Sequence, residues 1–147
     1  MPNVKTTWIC VADAGHLRIL RSSGPGTPVE RIVHEVHQRD HSKDFADRPG
    51  RAFESADISR HAMEPGEDPA RRDKRDAAAD IGKRLSDHAQ KQDFQRLILV
   101  APPQFMGDLR KHLSAAASNA VIAEIDKDLT GESDASIRDR LAEVAPV

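Results

Sequence analysis

The sequence has almost no cysteine and few aromatic residues. Cys10 is the single cysteine, tyrosine does not occur, and Phe, Trp and Tyr together make up 3% of the 147 residues. One cysteine allows neither an internal disulfide nor a cysteine zinc cluster, which suits a reducing cytoplasm. So few rings also argue against the aromatic platforms on which single-stranded nucleic-acid binders stack bases.

Long apolar runs are missing as well. The run nearest the N-terminus extends over five residues, from Trp8 to Ala12, before Asp13 interrupts it. A secretory signal or a membrane span needs a longer run than this. We therefore expect a cytoplasmic protein with no membrane partner.

The chain also lacks an excess of charge of either sign. Lys and Arg number 22 against 24 Asp and Glu, so the formal net charge is −2. No whole-molecule field then attracts nucleic acid or an anionic membrane, and any such partner must use a local patch. At 147 residues, we expect one domain over residues 1–147 that folds without disulfides.

The apolar pattern of the first third predicts a sheet that opens with a hairpin. Between Trp8 and Ile19 an apolar run is followed by turn residues and then by an alternating run. Val29, Ile32, Val33 and Val36 predict a third strand, although their period is imperfect.

The stretch LILVAPPQFMGDLR, Leu97 to Arg110, predicts the centre of the fold. Four apolar residues without polar alternation are typical of a strand covered on both faces. The proline pair ends this strand and favours a helical first turn. Phe105, Met106, Leu109 and Leu113 recur at helical spacing, so we expect a buried central strand that leads into a helix packed on the sheet.

The remaining pattern alternates helix and strand. Asp68 and Pro69 predict a helix start, with the helix running to about Gln92, and Val121 to Ile125 predicts a strand. Ser133 is expected to cap a last helix. The residues that share a face of that helix are Ile137, Leu141 and Val144. The sequence thus predicts an α/β domain with a mixed five-stranded sheet and about three helices, in the order β-β-β-loop-α-β-α-β-α.

Residues 37–68 show no periodicity. The segment has few aliphatic residues and contains the turn sequences Asp-Arg-Pro-Gly at 47–50 and Glu-Pro-Gly at 64–66. A pattern-free run of this length within a domain is usually functional or disordered. We expect a long mobile loop here.

Three groups of polar residues allow two interpretations each. His34, His37 and His41 contain metal-capable atoms, but solvated side chains explain them better because no ligand spacing such as HExxH accompanies them. Asp126 and Asp128 are either a carboxylate pair at a strand end or a solvated turn.

The third group lies along the first helix. These basic residues either contact RNA phosphates or form a solvated helix face with i,i+4 ion pairs. They are Arg71, Arg72, Lys74, Arg75, Lys83 and Arg84. The start of the second helix, at 101–104, is likewise either an anion site beyond a strand end or an ordinary strand-to-helix joint, and the two prolines favour the joint because they remove two donors.

Four segments carry a family resemblance. VADAGHLRIL, DRPGRAFES, LILVAPPQFMGDLR and EIDKDLT resemble the bacterial host attachment protein family, which is described as required for attachment to host cells. That family is in turn similar to the middle domain of archaeal and eukaryotic peptide-chain release factors and their Pelota-like relatives. The resemblance implies a mixed-sheet α/β fold.

The resemblance also implies a position for the functional loop. In release factors, the loop before the first long helix presents a Gly-Gly-Gln tip to the ester of peptidyl-tRNA. The matching stretch here contains no Gly-Gly-Gln, so we expect no catalytic residue there. Its arginines suit phosphate or carboxylate, and its phenylalanine suits an apolar contact. The predicted binding residues are Asp47, Arg48, Pro49, Gly50, Arg51, Phe53, Ser55, Arg71, Arg72 and Arg75.

These expectations lead to one function with two alternatives. We expect a non-enzymatic protein that binds a macromolecule, either RNA, the ribosome or a protein, without a cofactor and without reading DNA sequence. The first alternative is a hydrolase of a nucleic-acid-linked ester or phosphodiester that uses His37 and His41, or Asp126 and Asp128. The second is a structural or adhesion-related partner whose loop becomes ordered in an assembly.

Overall fold

Five strands form one mixed sheet in the computed structural model, which describes residues 5–24, 28–36 and 68–144. The strands are β1 (Thr7–Asp13), β2 (His16–Ser22), β3 (Glu30–Val36), β4 (Arg96–Val100) and β5 (Val121–Ile125). The helices within the described residues are α1 (Pro69–Gln90), α2 (Pro103–Arg110), α3 (Ala115–Ala120) and α4 (Asp134–Ala142). The predicted fold class and the predicted opening hairpin are confirmed.

The strand order across the sheet is β3-β2-β1-β4-β5. The hairpin pairs β1 with β2 and β2 with β3 in antiparallel fashion, whereas β4 lies parallel to both β1 and β5. The prediction that Leu97 to Val100 form a buried strand is confirmed, because each of these residues is fully buried. The central position, however, belongs to β1, since the hairpin and β3 extend the sheet on one side and β4 and β5 extend it on the other.

The helices cover the two faces of the sheet unequally. On one face, α1 and α2 bury a large core that includes Leu85, Phe105 and Met106. On the other face, α4 contributes Ile137 and Leu141 to a smaller core. The apolar stripe predicted for α2 therefore faces the sheet.

Helix α1 begins where the sequence predicts and ends earlier. The carboxylate of Asp68 accepts a hydrogen bond from the backbone N–H of Arg71 at 2.7 Å, which is an N-cap. The helix ends at Gln90, two residues before the predicted end, because Gln92 has a φ of 60° and cannot continue a right-handed helix. No helix among the described residues is both long enough and apolar enough to cross a membrane.

Helix α3 was not predicted. Its six residues show no apolar stripe, and only Ala117 is buried, so periodicity does not reveal it. The signal it carries is the cap, since Ser114 Oγ accepts from the N–H of Ala117 at 3.2 Å. The prediction that Val144 shares the buried face of the last helix is wrong, because α4 ends at Ala142 and Val144 is 57% exposed.

Candidate functional site

Three parallel strands, β1, β4 and β5, end at the same edge of the sheet. The chain leaves β1 toward β2 on one side and leaves β4 toward β5 on the other side, so a topological switch point lies between β1 and β4. Open α/β sheets bind ligands in the crevice at such a point. A cleft of about 320 Å³ lies there. We call it the edge cleft, and its lining residues are Asp13, Ala14, Gly15, His16, Lys74, Pro102, Gln104, Phe105 and Asp128.

The tight turn between β1 and β2 places an acid and a histidine in the edge cleft. Asp13 Oδ1 accepts a hydrogen bond from the backbone N–H of Gly15 at 2.8 Å. The same oxygen lies 2.9 Å from His16 Nδ1. An ionised carboxylate can only accept, so this contact places the proton on Nδ1 of His16. The turn thus orients the imidazole.

Asp13 is held in its ionised form. Burial by itself would raise the pKa of Asp13, but hydrogen bonds from His16 and from the Gly15 N–H outweigh it and keep the pKa below its ordinary value. The carboxylate is therefore negative at neutral pH.

A second carboxylate joins Asp13 through a shared hydroxyl. Thr130 Oγ1 lies 2.6 Å from Asp128 Oδ1 and 3.2 Å from Asp13 Oδ2. The backbone N–H of Thr130 also donates to Asp128 Oδ1 at 3.0 Å. The connection between β5 and α4 therefore carries Asp128 to the turn between β1 and β2.

Arg18 positions this connection. Its guanidinium donates to the carbonyl oxygen of Thr130 at 2.8 Å and to that of Glu132 at 2.6 Å, and it also donates to Asp134 Oδ1 at 3.2 Å. Arg18 is only 8% exposed. The strand pattern placed Arg18 among the polar positions of the hairpin, so sequence reasoning missed that it packs inward to hold a distant loop.

The other wall of the edge cleft comes from α1, the end of β4 and the start of α2. Lys74 reaches the cleft from α1, and Pro102, Gln104 and Phe105 reach it from the end of β4 and the start of α2. Pro102 is the N-cap of α2 and provides no side-chain hydrogen bond. The strand-to-helix joint predicted at 101–104 is thus also part of the cleft lining.

The three predicted arginines of α1 lie in different environments. Arg71 forms two hydrogen bonds with the buried carboxylate of Asp108, at 2.6 and 3.0 Å, and so ties α1 to α2. Arg72 and Arg75 lie on the exposed side of α1. The predicted residues from Asp47 to Ser55 lie outside the described residues.

The predicted metal candidates are only partly within the described residues. His34 lies on β3, exposed, with its Nδ1 3.2 Å from a guanidinium nitrogen of Arg31, whereas His37 and His41 lie outside the described residues. In the parts of the chain that the structure describes, no three His, Cys, Asp or Glu side chains are grouped as a metal site requires. Of the predicted carboxylate pair, Asp128 lines the edge cleft and Asp126 does not.

The single thiol, Cys10, is not a candidate nucleophile. Cys10 is fully buried in β1, and burial raises its pKa to about 12. A thiol with such a pKa is protonated at neutral pH and is a poor nucleophile.

Comparison with known proteins identifies a family. The chain matches the model of the family described as "Protein required for attachment to host cells" over residues 8–141. No curated protein matches.

Two solved structures align with most of the chain. One, titled "Archaeal protein", has 11% identity and a TM-score of 0.47, and the alignment covers 94% of this chain and 34% of that one. The other is a crystal structure of the archaeal translation termination factor aRF1, with 9% identity, a TM-score of 0.45 and coverage of 96% and 39%. The chain thus spans less than two fifths of the length of either protein.

Proposed function

We propose that this chain, which belongs to the family of proteins required for attachment to host cells, is a macromolecule-binding protein whose partner is RNA, free or within the ribosome. The family description records a phenotype and leaves the molecular partner open. The proposed contact face is the edge of the sheet that holds the edge cleft.

One observation carries this proposal, namely where the chain leaves and re-enters the described fold. Val36, the last residue of β3, pairs with His16, and His16 pairs with Asp13. The end of β3 therefore lies at the edge of the cleft. Helix α1 begins near the same edge, since Lys74 in its second turn lines the cleft. Residues 37–67 thus connect two points at one edge, and the predicted binding residues Asp47 to Ser55 belong to that connection.

The charge at the start of α1 supports an RNA partner. Arg72, Lys74 and Arg75 are exposed within the first two turns of this helix. Arginine and lysine contacts to phosphate supply most of the sequence-independent affinity for nucleic acids. The cleft itself contains the carboxylates of Asp13 and Asp128, which repel phosphate, so we assign the RNA backbone to the arginines around the cleft.

Replacing two arginines of the predicted loop tests this proposal. We expect Arg48→Ala/Arg51→Ala to lower co-sedimentation with ribosomes from the same species, and to weaken RNA binding about tenfold or more. The loss of two phosphate contacts should also reduce the slope of log affinity against log salt by about 2. Sedimentation at several salt concentrations and RNA titration measure both quantities.

A variant of equal charge change provides the control. Lys91→Ala/Arg96→Ala alters the opposite edge of the sheet, where α1 ends and β4 begins, and should bind as the wild type does. The proposal is contradicted if the two double variants co-sediment equally, or if the wild type itself does not migrate with ribosomes and does not bind RNA.

One feature favours a hydrolase of a nucleic-acid-linked ester or phosphodiester as the second candidate. Asp13, His16 and Asp128 meet at one cleft, and such a group can accept and donate protons. If the protein is this hydrolase, Asp128→Asn should lower the rate of cleavage of RNA or aminoacyl-RNA at least tenfold. Full activity of Asp128→Asn, or no cleavage by the wild type with divalent metal added, rules this candidate out.

A further inference from the structure

The edge cleft has walls of opposite charge. Asp128 enters it from the connection to α4, the helix that covers one face of the sheet. Lys74 enters it from α1, which covers the other face. Asp13 comes from the turn at the sheet edge itself. An occupant of the cleft therefore meets carboxylates from one side and an ammonium group from the other.

The carboxylate wall has unused acceptor capacity. The hydroxyl of Thr130 has a single proton, yet it lies within hydrogen-bond distance of both Asp13 and Asp128. It can donate to only one of them at a time. The side chains of Asp128 and Asp13 lie close enough to interact directly, and the ring of His16 contacts the other oxygen of Asp13, Oδ1. A positively charged hydrogen-bond donor, such as an ammonium group, could donate to the carboxylate oxygens of Asp13 and Asp128.

Lys74 excludes an occupant that is simply cationic. Lys74 lines the same cleft, and its ammonium group would repel a polyamine or a second cation at short range. An occupant that has an anionic group directed at Lys74 avoids this repulsion and gains a charge-assisted contact. Charge complementarity on both walls thus favours a zwitterion.

The rest of the lining is mixed, and the volume is small. Ala14, Pro102 and Phe105 supply apolar surface, whereas His16 and Gln104 supply polar groups. A volume of about 320 Å³ is at the lower end of the range for ligand pockets. The occupant is therefore a small molecule with a compact apolar part, and the RNA contacts proposed above lie outside the cleft.

We propose that the edge cleft binds a small zwitterionic amine, in which Asp13 and Asp128 hold the ammonium group and Lys74 holds a carboxylate or phosphate. Lys74 belongs both to this site and to the basic start of α1, whereas Asp13 and Asp128 take no part in the proposed RNA contact. The two sources of the anionic group, an amino acid or an amino-alkyl phosphate, share the same chemistry at this cleft.

Calorimetric titration of the full chain with four probes tests the site. L-Leucine and phosphoethanolamine contain both charges, N-acetyl-L-leucine lacks the ammonium group, and isoamylamine lacks the anionic group. We expect at least one zwitterion to bind and both single-charge probes to bind at least tenfold more weakly. Which zwitterion binds more tightly identifies the source of the anionic group.

Matched variants assign the two walls. Asp128→Asn should weaken the zwitterion at least tenfold and leave N-acetyl-L-leucine unchanged, while Lys74→Met should weaken the zwitterion and leave isoamylamine unchanged. Asp126→Asn and Lys83→Met are the controls, since both residues are exposed near the tested positions and neither lines the cleft. Thermal unfolding of each variant verifies that it is folded.

Two results would overturn the proposal. The first is no binding of either zwitterion by the wild type at concentrations up to about 10 mM, which corresponds to about 3 kcal/mol of affinity. The second is equal binding of L-leucine and N-acetyl-L-leucine. Because Arg48→Ala/Arg51→Ala leaves the cleft residues intact, it should keep zwitterion affinity even where it loses RNA, so failures of the two proposals are distinguishable.

Discussion

At the scale of single residues, the contact between Arg71 and Asp108 shows how one ion pair fixes two helices. Asp108 is 5% exposed, and its two oxygens accept two guanidinium hydrogen bonds from Arg71. Those hydrogen bonds are the main reason that the pKa of Asp108 lies below its usual range, and burial opposes them. The folded protein therefore favours the ionised form of this carboxyl group.

This shift predicts a pH-dependent contribution to stability. Because the folded-state pKa of Asp108 is below the unfolded value, its contribution is present above the ordinary carboxyl range and is lost as the pH falls through the folded-state pKa. We expect Asp108→Asn to lower the free energy of unfolding by about 1–3 kcal/mol at about pH 7, and by less at about pH 3. Urea denaturation of both proteins at each pH measures the difference.

Asp126→Asn is the matched control for this prediction. Asp126 is exposed, so its replacement should change the free energy of unfolding by less than about 0.5 kcal/mol at either pH. A destabilisation by Asp108→Asn that is as large at acidic pH as at neutral pH would mean that ionisation of Asp108 does not contribute to stability.

Single residues also show where sequence reasoning reaches its limit. The caps of Asp68 and Ser133 were predicted, because a cap is recognised by near neighbours in the chain. The inward position of Arg18 was not predicted, because its partners are more than 100 residues away. Asp13 was assigned to a turn and His16 to the strand that follows it, since nothing local signals that Asp128 approaches them.

At the scale of secondary-structure elements, α1 approaches the segment after α2 very closely at one glycine. A Cβ atom placed on Gly82 would lie 2.6 Å from His112 Cβ. Ser86 stabilises the same contact with two hydrogen bonds. Its hydroxyl donates to the carbonyl of Gly82 at 2.7 Å and accepts from the N–H of Ser114 at 2.8 Å. The glycine therefore allows the two backbones to meet.

Gly82→Ala is predicted to destabilise the protein although alanine favours a helix. Alanine has a helix propensity about 1 kcal/mol better than glycine, but the new methyl group must displace His112, an overpacking cost of about 1–3 kcal/mol. We expect a net loss in the free energy of unfolding and a lower melting temperature, measured by calorimetry and denaturant titration.

Gly107→Ala separates packing from propensity. Gly107 lies within α2, and a Cβ placed there would meet no atom within 4 Å. This variant should be stabilised by about 0.4–1 kcal/mol. If both alanine variants were stabilised, the close approach at Gly82 would not constrain the packing of α1.

Elements with a clear apolar pattern were predicted, and the short helix α3, which has none, was not. The strand Val121–Ile125 was predicted with its observed bounds, because it is rich in Val and Ile and is followed by the charged run at 126–128. Helix α3 was missed because six residues are too few to show a helical period. The end of α1 depends on the left-handed backbone of Gln92. The sequence does not predict this conformation, because glycine or asparagine usually adopts it.

At the scale of the whole molecule, the fold class follows from the order of elements and the cleft does not. Alternating strands and helices in the second half require parallel neighbours, which is what β1, β4 and β5 show. The edge cleft, in contrast, is lined from four segments that lie far apart in the sequence. Only the three-dimensional arrangement brings Asp13, Lys74, Gln104 and Asp128 together.

We expect the partner to contact the sheet edge where β1, β4 and β5 end. Hydrogen exchange of the whole chain, with and without purified ribosomes or RNA, measures this contact. We predict slower exchange in the turn at 13–16, in the first two turns of α1 and in the segment 126–130. These segments carry the edge cleft and the exposed basic residues of α1. If exchange slowed only at the opposite edge, at 91–96, or only in α4, and was unchanged at the edge that holds the cleft, the partner would not bind at the edge cleft.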